Sequence, residues 1–113
     1  MKKNKAEIEE ITERLIKFRD ERNWEQFHNS KDLALALSIE AAELNELFLW
    51  KGAEDVSIEK LKEELADVLI FAFLLARKHH LSIRTIMMNK IETNKKKYPA
   101  EKAKNTARKY SEL

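Results

Sequence analysis

Leu65-Ala66-Asp67-Val68-Leu69-Ile70-Phe71-Ala72-Phe73-Leu74-Leu75-Ala76 is the stretch whose reading settles the architecture. Every one of these residues is apolar except Asp67. The run is too short to cross a bilayer, which takes about 20 apolar residues in a helix. A helix that is apolar nearly all round is instead covered by protein on more than one side. Arg77, Lys78, His79 and His80 follow it and suit the negative end of a helix dipole. This helix is expected to start after Ser57 and to run to about His80.

Three more helices can be read on either side. Ile8, Ile11, Leu15 and Phe18 recur at helical spacing, so a first helix is expected over about Ala6 to Arg22. A second should start with Ser30 as N-cap and Asp32 in its first turn. Leu33, Leu37, Leu44 and Leu47 mark its buried side, and Gly52 is the expected stop after Lys51. The last starts near Ser82, with Ile83, Ile86, Met87 and Ile91 as its apolar side, and stops before Pro99. Beyond Pro99 the chain is polar and basic, and a tail that is extended or mobile is expected over residues 99–113.

Composition agrees with an all-α, single-domain chain. The sequence has 113 residues, 43% hydrophobic and 37% charged, which fits one small core. One Gly and one Pro are too few for sandwiches, barrels or Gly-rich phosphate loops. Without cysteine there is no disulfide, no thiolate nucleophile and no Cys-based zinc site. Met1-Lys2-Lys3-Asn4-Lys5 is charged and followed by acids, so no signal peptide is expected and the protein is assigned to the cytoplasm. Net charge is only +2, but residues 89–113 are basic while acids lie on the apolar faces of the middle helices. The near balance and the lack of a recognition helix argue against nucleic acid as a partner.

Those acids carry the chemistry. Leu33, Leu37, Glu40, Glu43, Leu47 and Trp50 step by four, three, three, four and three along one helical stripe. Leu61, Glu64, Asp67/Val68 and Phe71 do the same on the next helix. The pattern is E-x-x-E, twenty residues, then E-x-x-D. Residues three apart on a helix point the same way, and a short connection folds the two helices back antiparallel. Two pairs of carboxylates then face each other across a partly apolar cleft. Ionised and unpartnered, such groups each cost several kcal/mol. Protonation, Lys or Arg partners, or divalent cations relieve that cost. Oxygen ligands without His or Cys select hard ions, Mg²⁺ with Mn²⁺ as a substitute. A lone E-x-x-E is usually surface decoration, and Glu46, Glu59 and Glu63 are read as such decoration or as support around the four acids.

Three further stretches extend the pattern: Trp24-Glu25-Gln26-Phe27-His28, Ser38-Ile39-Glu40-Ala41-Ala42-Glu43-Leu44-Asn45-Glu46-Leu47-Phe48-Leu49-Trp50-Lys51, and Glu63-Glu64-Leu65-Ala66-Asp67-Val68-Leu69-Ile70. Together with Lys90, Asn94, Lys97-Tyr98-Pro99 and the tail from Ala107 to Leu113, they resemble the MazG-like all-α nucleoside triphosphate pyrophosphohydrolases, in the dCTP pyrophosphatase-type branch. The resemblance covers essentially the whole chain. It implies a four-helix MazG-like bundle that assembles as a homodimer or tetramer. It further implies Mg²⁺-dependent cleavage of a (deoxy)nucleoside triphosphate to monophosphate and pyrophosphate, in nucleotide-pool housekeeping.

By the same resemblance Glu40, Glu43, Glu64 and Asp67 hold Mg²⁺ and carry catalysis, and Lys51, Lys90 and Lys97 balance phosphate charge with Asn94 as a donor. Trp24, Phe27, His28, Trp50 and Phe71 line the base pocket. Two positions depart from the dCTP-type pattern, Leu15 where a His is usual and Phe71 where a Tyr is usual. Both remove polar groups near the nucleotide, which puts base preference in question. The competing reading is a non-catalytic helical interaction module whose acids are salt-bridged to lysines. A di-iron bundle needs Glu-x-x-His pairs, and none of the four acids is followed by one.

Overall fold

Short polar residues decide where the helices begin. In the computed structural model, which describes residues 6–113, α1 runs Glu7–Glu21 with Glu7, Glu9 and Glu10 in its first turn, where they face the positive end of the helix dipole. The charged residues 1–5, on which the signal-peptide expectation rests, lie outside the described residues. Past α1, Asn23 takes a left-handed φ of 54°, a conformation that asparagine tolerates. A 3₁₀ turn follows at Glu25–Phe27. It is tied back by Arg19, whose guanidinium lies 2.8 Å from Asp20 and 3.3 Å from Glu25.

Helix α2 spans Ser30–Glu46. Its N-cap is Asn29 rather than the expected Ser30: Asn29 Oδ1 accepts from the Asp32 amide at 2.8 Å, and Asn29 Nδ2 donates to the Asp32 carboxylate at 2.8 Å. The Asn29 side chain thus satisfies one amide of the first turn and also holds the Asp32 carboxylate. Ser30 is therefore the first helical residue, and its hydroxyl lies 2.8 Å from His79 Nε2.

The far end of α2 also departs from expectation. The helix stops at Glu46, and residues 47–50 tighten into turns closed by bonds such as Phe48 N to Asn45 O at 3.0 Å and Leu49 N to Glu46 O at 3.1 Å. The left-handed residue is Trp50, φ 62°, and Gly52 has no positive φ. What Gly52 does allow is a close approach, since a Cβ there would sit 2.8 Å from Asp55 Oδ2.

Helix α3 covers Ile58–Lys78, starting after Ser57 as expected, with the Ser57 hydroxyl accepting from the Lys60 amide. It packs mainly on α2, and α1 packs on it more lightly. The contact between Ser30, at the start of α2, and His79, just past the end of α3, makes the pair antiparallel. Leu33, Leu74 and Ala76 are the buried core. Much of the rest of α3's apolar surface is open, with Leu65 45% and Leu69 49% exposed.

The chain divides into two compact units, Met1–Leu81 and Ser82–Leu113. In the second, α4 spans Ile83–Lys97 and is capped by the Ser82 hydroxyl, which accepts from the Thr85 amide at 3.2 Å. After Pro99 the tail carries a fifth, four-residue helix, α5 at Ala100–Ala103, and a 3₁₀ turn at Tyr110–Glu112. The expected four helices are thus corrected to five α-helices among the described residues, because Pro99 ends α4 yet serves as the N-terminal neighbour of a new turn. No strand occurs among the described residues, and no helix among them is long and apolar enough to cross a membrane.

Candidate active site

The pairing of α2 with α3 brings three of the four predicted acids together. One carboxylate oxygen from each of Glu40, Glu43 and Glu64 lies within 4.8 Å of the others. Glu40 and Glu64 are half-buried while Glu43 is exposed. Asp67 is half-buried on α3 and falls outside that tight group, but its charge reaches both Glu40 and Glu64.

Like charges at this range disfavour ionisation. The Glu40 carboxyl is pushed up to about 7, chiefly by burial, then by the hydrogen bond it can share with Glu43, then by the charges of Glu43, Asp67 and Glu64. Glu64 is raised as well, first by burial, then by the charges of Glu43 and Asp67. Glu40 Oε2 and Glu64 Oε2 are both buried with no hydrogen-bond partner. Ion pairs join Arg19 to Asp20 and Glu25, Lys62 to Glu59, and Lys95 to Glu92. None involves the four acids, so lysine neutralisation does not relieve the cluster. Orphaned carboxylate oxygens in an all-oxygen group fit a hard divalent cation.

The aromatic candidates are placed less uniformly. Trp24 stacks edge-on against Phe18, ring centroids 5.7 Å apart at 78°. Phe27 is exposed, and Phe71 is half-buried on α3. His28 is half-buried with its Nδ1 unpartnered. Burial and the nearby charges of Arg19 and Lys78 lower its pKa against an opposing pull from Glu25.

Trp50 does not continue the acid-bearing face of α2, because the helix ends at Glu46. Its side chain is 94% exposed, and it helps line an open cavity of about 450 Å³ with Ala42, Asn45, Glu46, Phe48 and Leu49. Lys51 follows it, exposed, at a bend. Lys90, Asn94 and Lys97 all lie on α4, in the second unit.

Two side chains escaped the sequence reading. The Arg22 guanidinium sits 3.8 Å over the Phe18 ring and 6.0 Å from that of Trp24. The Phe18-x-x-x-Arg22 spacing was the available signal. Tyr110 receives the Lys97 ammonium 4.9 Å from its ring centroid, a contact that no spacing along the chain announces.

A family model described as MazG-like matches residues 35–113. The chain belongs to the MazG-like family. It is 40% identical over 114 residues to the human protein named dCTP pyrophosphatase 1, covering 94% of this chain and 67% of that one. The protein of the same name from Bos taurus is 36% identical over the same length, covering 94% of this chain and 68% of that one. A solved structure of a pyrophosphatase from Archaeoglobus fulgidus superposes with a TM-score of 0.77 at 35% identity, covering 88% of this chain and 98% of that one.

Proposed function

We propose that this nucleoside triphosphate pyrophosphohydrolase cleaves the α–β phosphoanhydride of a deoxynucleoside triphosphate, dCTP or a modified pyrimidine nucleotide, in cytoplasmic nucleotide-pool housekeeping. The supporting observation is the group of carboxylates between α2 and α3 whose buried oxygens lack partners. Relatives named dCTP pyrophosphatase 1 support the reaction class and the base. Leu15 and Phe71 offer the base no polar group, so discrimination among pyrimidines is expected to be modest.

Glu40, Glu43, Glu64 and Asp67 would hold Mg²⁺ or Mn²⁺. When bound, the ion supplies positive charge against the triphosphate and Lewis acidity toward its oxygens. The residues of the chain do the rest. Lys51, Lys90 and Lys97 meet phosphate oxygens as point charges, and Asn94 donates a hydrogen bond. Trp24, Phe27 and Trp50 offer rings to the base, with His28 and Phe71 beside them. Water attacks the α phosphorus in line, its proton passes to a carboxylate of the acid group, and pyrophosphate leaves.

The open apolar side of α3 at Leu65 and Leu69 supports a homodimer or tetramer. Leu69→Lys is then expected to lower the mass measured by light scattering, and an unchanged monomeric mass in the parent protein would contradict the assembly. The reaction is tested with a panel of canonical and modified triphosphates and Mg²⁺. Monophosphate and pyrophosphate should appear, fastest with a pyrimidine. Release of single orthophosphate, or no turnover of any triphosphate, would overturn the reading.

A further inference from the structure

Residues 95–97 are three consecutive lysines at the end of α4, and their partners differ. Lys95 Nζ lies 3.0 Å from the Glu92 carboxylate, so its charge is already neutralised. Lys97 makes no ion pair among the described residues. Its ammonium instead sits over the face of Tyr110, 4.9 Å from the ring centroid.

That ring is itself held. Tyr110 meets Tyr98 edge-to-face, centroids 6.1 Å apart at 83°. Tyr110 also opens the 3₁₀ turn, closed by Glu112 N to Lys109 O at 2.8 Å. Tyr98 follows Lys97 directly and is anchored by its amide to Asn94 O at 2.8 Å. The tail therefore returns to the last turn of α4 and places an aromatic face against one particular lysine.

We infer that Tyr110 is a positioning residue for substrate, holding the Lys97 ammonium ready for a phosphate oxygen. The inference rests on the proposed phosphate role of Lys97. A carboxylate partner would cancel the lysine's charge, whereas an aromatic face restrains the ammonium through its quadrupole and leaves the full positive charge. An unrestrained lysine loses rotamer freedom on meeting its ligand. A lysine already seated on a ring loses less, and that difference should be read in nucleotide affinity.

The test is a double-mutant cycle in the full-length protein, with a non-hydrolysable α,β-imido dCTP titrated calorimetrically in Mg²⁺ and with KM and kcat for dCTP. Tyr110→Ala should raise Kd and KM about two- to five-fold with kcat unchanged. Tyr110→Phe, which keeps the ring face, should behave as the parent. In a Lys97→Ala background, Tyr110→Ala should have no further effect, a non-additivity that a merely structural role would not produce. If Lys97→Ala weakens binding but Tyr110→Ala does not, or the two effects simply add, the positioning role is overturned while the phosphate role stands. If Lys97→Ala leaves affinity intact, the phosphate role fails and the inference fails with it.

Discussion

Residues 40–67 and residues 90–109 are both dense in charge, yet they handle it oppositely. In the first segment carboxylates are gathered and partly desolvated, and two of their oxygens have no partner. In the second, lysines stand exposed, one of them paired with Glu92 and another resting on a ring. Solvated lysines carry almost no folding penalty, so their presence alone argues for little. Crowded, half-buried acids raise the free energy of the folded chain and persist only if something offsets them. The difference teaches where to look for chemistry: at the charges that fold at a cost, not at the most numerous ones.

The hardest blow to this comparison comes from the acids. Glu40→Gln or Asp67→Asn should reduce pyrophosphate release by about 10²-fold or more. Melting temperature should hold or rise, because each change removes repulsion. If both variants turn over normally, the crowded acids are not the reacting centre and the contrast between the two segments loses its functional meaning.

Most of the architecture was legible because it depends on local rules. Helices α3 and α4 start where expected, after Ser57 and near Ser82, and Glu40, Glu43 and Glu64 meet because helical spacing carried acids along an apolar stripe. The misreadings have local causes too. Asn29 outcompeted Ser30 because its amide can both accept from and donate to Asp32. Gly52 looked like the stop of α2, but the chain turned earlier and left Trp50 in the left-handed region. Periodicity has no information about where i→i+3 bonds replace i→i+4, so it cannot show that Trp50 leaves the acid face. Contacts such as Lys97 with Tyr110 join residues whose spacing has no helical meaning, and only the folded tail reveals them.

Trp50 sharpens the comparison from its apolar side. An indole 94% exposed adds almost nothing to folding, while left-handed backbone costs a non-glycine residue about 1–2 kcal/mol. Trp50→Ala should raise KM about 5- to 100-fold, the loss of one stacked base, and leave kcat within about two-fold. Trp50→Gly should bind as poorly yet be about 1 kcal/mol more stable than Trp50→Ala, since glycine accepts φ 62° freely. A fall in kcat with KM unchanged would remove the ring from the base pocket.

The smallest expected effect distinguishes the two segments by pH. An acid whose pKa is higher in the folded state binds its proton more tightly there, so the folded chain holds more protons than the unfolded one between the two values. For Glu40 that window runs from 4.5 to about 7. Stability of the metal-free protein should be greatest below the window and fall as pH rises through it, by about 5 °C in Tm after solvent screening. Glu40→Gln should flatten the curve. Lys95→Ala, which removes the exposed pair with Glu92, should leave its shape unchanged. Adding Mg²⁺ should recover the stability lost at pH 8 and release protons as it binds, because the ion needs the carboxylates ionised. A metal-free protein that gains stability from pH 5 to pH 8 would mean that these carboxylates already have partners, and the cost that sets them apart from the lysines would not exist.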